Sequence, residues 1–434
     1  MNIRKLIKNR VVKNAGWIIS GRIAQVLINF ILSLFTLRYL GPDNYGLINY
    51  AAAYTGILSS VSSLGINAII VKEFVDKPGQ EGVILGTSLG LRLVASALST
   101  VAILCVSFIW DANEPETHLV VTLYSVGAIL NSFEVFTYWF QSQLQSKKTS
   151  IATLCAYTVM AGYKIILLML DMPVSYFAIA SAIDYAVIAV ILVGYYVRDK
   201  GARLSFSWRY GSQLLKSSHH YILTGLMVSI YAQTDKLMLK QMVNESETGF
   251  YSVAYSLSGI WCFVLAAIIS SLNPIIMEAH KGDRLKYGRL NRLLYNIVIY
   301  LSFFVAGIYM MTGEWIVVFL YGEAYRPAAI PLKILAWQTA FSYLGVARDT
   351  WIVCENKQKY LKYIYISAML ANVSLNAVWI PVYGVAGAAF ASLVTQVITT
   401  FIVPFFIVEL KENVHMMLDA LLFRGLKTRE KQAG

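Results

Sequence analysis

The chain has 434 residues, 57% of them hydrophobic and only 14% charged, a balance that excludes an ordinary soluble domain. The formal net charge of +12 raises the question of nucleic acid, but the basic residues lie in short stretches between apolar runs, where membrane topology accounts for them. The four cysteines all fall in apolar runs, with neither metal-ligand spacing nor a disulfide framework.

The start, MNIRKLIKNRVVKNAG, is basic, and Ile3, Leu6 and Ile7 interleaved with Arg4, Lys5, Lys8 and Arg10 predict a short amphipathic helix over 1–13. The apolar stretch that follows is too long for a signal-peptide core and lacks a small-residue cleavage site, so it reads as a retained first span. A hydrocarbon layer of roughly 30 Å takes about 20 residues per helical crossing, and on that measure about twelve spans are expected. They lie near 14–39, 46–70, 84–110, 118–142, 149–170, 174–197, 217–242, 248–276, 293–320, 328–353, 359–380 and 385–408.

The connecting loops alternate in charge. One set carries Lys72 and Lys77, Lys147 and Lys148, Arg198 to Lys216, Lys281 to Arg292, and Lys357 to Lys362. The other carries Asp43; Asp111, Glu114 and Glu116; Asp171; Glu245 and Glu247; and Glu323. The Lys/Arg bias assigns the first set, and both termini, to the cytoplasm. Both termini inside require an even number of spans, in agreement with the separate count. The stretch 198–216 reads as a cytoplasmic linker between a bundle over 14–197 and a second over 217–408, followed by a basic tail over 409–434. Weak likeness between DNYGLINYAAAY and SETGFYSVAYSL supports two related halves, a plan common among transporters. GTSLG (86–90) reads as a helix-packing stripe, and Asn273–Pro274 as a kink or end of span eight.

Charges inside the spans are the candidate functional groups, because a charge in hydrocarbon costs about 2.5–3.5 kcal/mol on insertion scales. Arg22, Gln25, Asn29, Ser33 and Thr36 share one face of span one. Asn131, Glu134, Tyr138, Gln141 and Gln145 do so in span four. Arg92, Lys164, Asp184, Asp235 and Lys236 add charges in spans three, five, six and seven. Stripes from several helices imply a polar cavity between the halves. No nucleotide-binding glycine loop and no catalytic triad or paired-carboxylate arrangement is evident in a loop, so neither an ATP-driven pump nor an enzyme is expected, and no cofactor or metal.

Four stretches in order carry a resemblance: LRYLGPDNYGLINYAAAY (37–54), QTDKLMLKQMVNESETGFYSVAYSL (233–257), LYGEAYRPAAIPLKILAWQ (320–338) and IPVYGVAGAAFASLVTQ (380–396). Together they resemble polysaccharide repeat-unit flippases of the O-antigen transporter type, in the multidrug/oligosaccharidyl-lipid/polysaccharide exporter superfamily. The resemblance implies an all-α polytopic protein, two six-helix bundles around a central cavity, and alternating access in the inner membrane of a bacterium. Its cargo would be a polyprenyl-pyrophosphate-linked oligosaccharide, with membrane lipid, an H+ or Na+ counter-ion and other polysaccharide-assembly membrane proteins as partners. In that frame Arg22, Arg92, Lys164 and Lys236 are candidate cations for the pyrophosphate. Gln25, Asn29, Tyr138 and Gln141 are candidate partners for sugar hydroxyls, and Asp235, Asp184 and Glu134 are candidate ion carriers. Two rivals remain: a cation-coupled efflux pump of the same superfamily, disfavoured by the cations, and a membrane polymerase or glycosyltransferase, disfavoured by the lack of a sizeable outer loop.

Overall fold

A backbone in hydrocarbon has no water to bond, so apolar runs of this length fold into helices that satisfy every N–H within the segment. The structure, a computed structural model, describes residues 3–422; the side chains of 3–16, 18–20, 22 and 23 lie outside the described residues. The amphipathic reading of 1–13 therefore falls outside them, as does the end of the basic tail. Among the described residues every regular element is helical. The chain divides into two compact units, Met1–Gln233 and Thr234–Gly434.

The first unit begins with α1 (Ile3–Ser62), broken at Gly41, whose φ of 71° favours glycine. The apolar stretch Ala24–Ser62 has 39 residues, or about 58 Å of helix, so the break turns one run into two membrane passes. Beyond Ser62 the chain unwinds through Leu64 and Gly65, both at positive φ, into a 3-10 turn at Ile66–Ala68. Gly65 is required twice over, since a Cβ there would meet Tyr221 Cβ at 2.9 Å. Then follow α2 (Ile70–Asp76), α3 (Glu81–Trp110) and α4 (Pro115–Leu130). A second 3-10 turn, Asn131–Glu134, leads from α4 into α5 (Val135–Ser142). The unit continues with α6 (Ser146–Met169), α7 (Val174–Ala178), α8 (Ala180–Arg198) and most of α9 (Trp208–Met242). Its core gathers Phe136, Trp139 and Phe140 of α5 with Leu192 and Tyr196 of α8 and Ile84 and Leu85 of α3. Rings of Phe136 and Trp139 meet Tyr196 edge-on at 5.3 and 4.8 Å.

The expected linker over 198–216 differs from the observed one. Residues 208–216 already belong to α9, and only 199–207 are irregular. These are docked: Ser205 N donates to Gly82 O at 3.1 Å and Ser207 N to Thr87 Oγ1 at 3.0 Å. The glycine stripe of α3 takes this backbone rather than another helix. A Cβ on Gly86 would stand 2.6 Å from Ser205 O, and one on Gly82 2.2 Å from Arg203 O.

The second unit holds α10 (Glu245–Gly259), α11 (Cys262–Gly282), α12 (Arg284–Tyr321) and α13 (Ala329–Cys354), then α14 (Leu361–Val397), α15 (Val403–Phe406) and α16 (Lys411–Leu421). Its core joins Leu265, Ile269 and Ile276 of α11 to Tyr295 and Val298 of α12 and Leu344 and Trp351 of α13. Pro274 neither ends nor divides its span, as α11 runs through it; the division falls at Ile260–Trp261. Gly384, at φ 54°, breaks α14 as Gly41 breaks α1. Beside it Glu247 accepts from Val385 N, holding the restart of the helix. The tail expected from 409 onward is in part a packed element, since Val414, Met416, Met417 and Ala420 of α16 enter the core.

Among the described residues eight helical stretches are long and apolar enough to cross a membrane; the breaks at Gly41 and Gly384 divide two of them, and with α9 and α13 the whole is compatible with twelve passes. Phe108, Val190, Met311 and Trp315 stand exposed, as lipid-facing side chains do where the surrounding solvent is hydrocarbon.

Candidate functional site

Charged side chains at membrane depth persist only where a partner or a polar surface receives them. Arg92 of α3 is buried, and it does not snorkel toward an interface. Its guanidinium pairs with Glu134 Oε2 at 3.1 Å, donates to Asn67 Oδ1 at 3.0 Å and to the Asn131 carbonyl at 3.2 Å. The last two acceptors sit in the 3-10 turns at 66–68 and 131–134, where the helix ladder is interrupted. Arg92 thus satisfies backbone and side-chain groups of two unwound segments at once. Tyr138 OH donates to Glu134 Oε1 at 3.2 Å. Arg92 and Glu134, assigned to separate roles from the sequence, are one ion pair. Asn67 had no signal of its own beyond lying just past a glycine that breaks its helix.

A second group lies on α6 and α8. Lys164 and Asp184 are within electrostatic reach of each other, and both are partly buried. Tyr185 lies within reach of Asp184, Glu134 and Tyr157, and Tyr124 within reach of Asp184 and Tyr185. Gln25 of α1 donates to Tyr157 OH, and Asn29, one turn further along α1, is partly buried. The two groups therefore share one wall of the first unit. Gln141 stands apart: it is exposed at the end of α5, two turns from Glu134 and close to Lys147 and Lys148 in sequence. Arg22 lies in α1, but its side chain is outside the described residues.

In the second unit Asp235 is 3% exposed and is caged by neutral donors. Asn372 Nδ2 donates to Oδ1 at 3.0 Å; Asn376 Nδ2, Tyr251 OH and Ser392 Oγ complete the set. The neighbouring Lys236 sets its ammonium 5.7 Å from the centre of the Tyr255 ring and stays within electrostatic reach of Asp235. The cage residues were missed from the sequence. Asn372 and Asn376 are four apart in an apolar span, a spacing that sets both on one helix face and was the available signal.

Asp111, placed by the sequence in an acidic connecting loop, is buried. Tyr50 OH donates to its Oδ1 at 2.9 Å, Tyr54 OH to Oδ2 at 3.4 Å, and Ser107 Oγ to Oδ2 at 3.0 Å. It locks the start of span two to the end of α3.

Comparison with known proteins follows this geometry. The family described as polysaccharide biosynthesis protein matches residues 11–280, more than half of the chain. The capsular polysaccharide biosynthesis protein CapF of Staphylococcus aureus is 20% identical, over 89% of this chain and 96% of its own. A putative O-antigen transporter of Shigella flexneri is 19% identical, over 96% and 98%. Among solved structures, the lipid II flippase MurJ in an inward closed conformation superposes with a TM-score of 0.67 at 12% identity, covering 95% of this chain and 91% of that one. An inward-facing multidrug resistance MATE family transporter of the MOP superfamily gives 0.66 at 13% identity, covering 89% and 96%. At such identities these structures speak for the fold: helical membrane transporters share it.

Proposed function

Because the chain belongs to the polysaccharide biosynthesis protein family, we propose that it is a flippase that moves a lipid-linked oligosaccharide across the membrane. The cargo is a polyprenyl-pyrophosphate-linked repeat unit, carried from the cytoplasmic to the periplasmic leaflet of a bacterial inner membrane by alternating access. Both termini lie in the cytoplasm. The protein makes and breaks no covalent bond; it lowers the cost of taking sugars and a pyrophosphate through hydrocarbon.

The observation that carries this reading is the family match over 11–280, and relatives named for capsular polysaccharide and O-antigen run nearly the full length. The polar wall of the first unit supports it, since hydroxyls and charges at membrane depth are what a glycan needs in place of water. Arg22 and Lys236 are the proposed cations for the pyrophosphate, because a charge-assisted bond to phosphate is strong where water is scarce. Asp235 is the proposed seat of the counter-ion. Its donors are all neutral, so a proton or sodium ion would neutralise a carboxylate that is otherwise expensive to bury.

A deletion strain tests the function. Loss of surface polysaccharide with internal build-up of lipid-linked repeat units, both reversed by the wild-type gene, is the expected result. Loss of polysaccharide without such build-up would place the defect in synthesis and sink the flippase reading.

A further inference from the structure

The wall of the first unit carries two cations and two carboxylates: Arg92 pairs with Glu134, and Lys164 lies within electrostatic reach of Asp184. Among the described side chains each positive charge of this wall already faces a negative one. Arg92 and Lys164 therefore bring no unbalanced positive charge to this wall. What it does offer is acceptor capacity. Asp184 Oδ1 is shut away from solvent with no hydrogen-bond donor among the described residues. Native structures rarely leave a buried acceptor bare unless a ligand or water fills it. Glu134 is held by Arg92 and Tyr138 yet keeps an open side: its side chain is 36% exposed, against 2% for Arg92.

Tyr185, within electrostatic reach of both carboxylates, brings a phenol ring near them. Carboxylate oxygens accept strong hydrogen bonds from sugar hydroxyls, and ring faces take the apolar side of a sugar. A sugar carboxylate in the same place has no proton to donate to Asp184 Oδ1 and would set one acceptor directly against another. A metal cation is a poor occupant of the Asp184 corner, because Lys164 already brings positive charge there.

Resting on the flippase reading above, we infer that this wall is a sugar-selecting surface: it takes uncharged repeat units through carboxylate–hydroxyl hydrogen bonds and rejects acidic ones. Asp184 is its specificity-determining residue. Glu134, oriented by Arg92, is the second acceptor.

The test uses the full chain in proteoliposomes with two polyprenyl-pyrophosphate-linked oligosaccharides of equal length. One is neutral, and in the other a single hexose is replaced by a hexuronic acid. The wild type is expected to move the neutral cargo about tenfold faster, the worth of one hydrogen bond to a charged group. Asp184→Asn should narrow that preference to about threefold or less, and Asp184→Glu should keep most of it. The ratio of the two rates does not depend on how much of a variant is folded, so a poorly accumulating variant is still informative. Equal rates for both cargoes in the wild type would overturn the selection while leaving the flippase reading intact. So would an Asp184→Asn variant that keeps the full preference, including one that only loses its response to pH or sodium. Movement of neither cargo above protein-free vesicles would remove the flippase reading, and this inference with it.

Discussion

Arg92 is among the largest fully buried side chains, and its removal tests what it holds. Arg92→Ala leaves Glu134 without its cation and the Asn131 carbonyl without its donor. Because Glu134 keeps an open side, screening brings the cost below the about 3–5 kcal/mol of a fully buried pair, and the protein should accumulate less well in membranes. Arg92→Lys keeps the charge but not a planar fork that reaches three acceptors, and should recover only part of that level. Normal accumulation of Arg92→Ala, measured on membrane fractions, would show that the two 3-10 turns need no such clamp. Asp235 calls for the opposite pattern. In Asp235→Asn the amide nitrogen can take the place of the oxygen that accepts from Tyr251 and Ser392, whose hydroxyls can turn to accept, so the loss is at most about 1–3 kcal/mol. The protein should still accumulate, while transport should lose its dependence on the counter-ion, read by varying sodium and pH in vesicles. An unchanged ion response would remove Asp235 as the coupling group. The polar faces that hold these residues were legible, because helical spacing fixes which residues share a face. The pairing of Arg92 with Glu134 was not, since spacing within one helix says nothing of which neighbour its face will meet.

At the scale of elements, the docked segment 199–207 is the largest departure from the sequence reading. A run with glycine, serines and basic residues looks like a flexible tether, and a G-x-x-x-G stripe looks like a helix–helix contact. Each reading is locally reasonable, and they fail together because the two features satisfy each other. Gly86→Leu should push the backbone at Ser205 off α3 at a cost of about 1–3 kcal/mol, and a protease added from the basic-loop side should then cut near Arg203. A segment that stays uncut would mean the stripe is not what holds it. Glu73 of α2 ties the start of α9 to the same end, accepting from Tyr210 OH at 2.9 Å and pairing with Lys77 at 2.7 Å. Burial alone would raise its carboxyl, but the Lys77 ammonium and the Tyr210 hydroxyl outweigh burial and hold it below the usual carboxylate range. A value depressed in the folded chain adds stability that is full above the unfolded value and fades as pH falls through the folded one. Protection of the segment from an acid-tolerant protease should therefore hold at neutral pH and weaken below about pH 4. Glu73→Gln should flatten that response, and an identical acid profile in this variant would assign the loss to another carboxylate.

For the whole molecule, the breaks at Gly41 and Gly384 decide how the chain threads the membrane. Each sits inside a run about twice the length of one crossing, so each adds a pass that a count of uninterrupted helices would miss. These breaks are compatible with the even number of passes that loop charge and length lead one to expect. The unit boundary at Gln233–Thr234 falls inside α9, C-terminal to the stretch 198–216. Reporter fusions test the threading directly. Fusions after Lys148, after Arg203 and at the C-terminus should report cytoplasm; fusions near Glu114, Glu245 and Glu323 should report the opposite side, because Lys and Arg are retained inside. The decisive pair brackets the pass that follows Gly41. A reporter inserted at Asp43 should read outside and one after Lys77 inside, since the chain must cross between them if the glycine break makes two passes of α1. Both reporters on one side would leave an odd number of passes, put the termini on opposite faces, and dismantle the proposed orientation from the first helix onward.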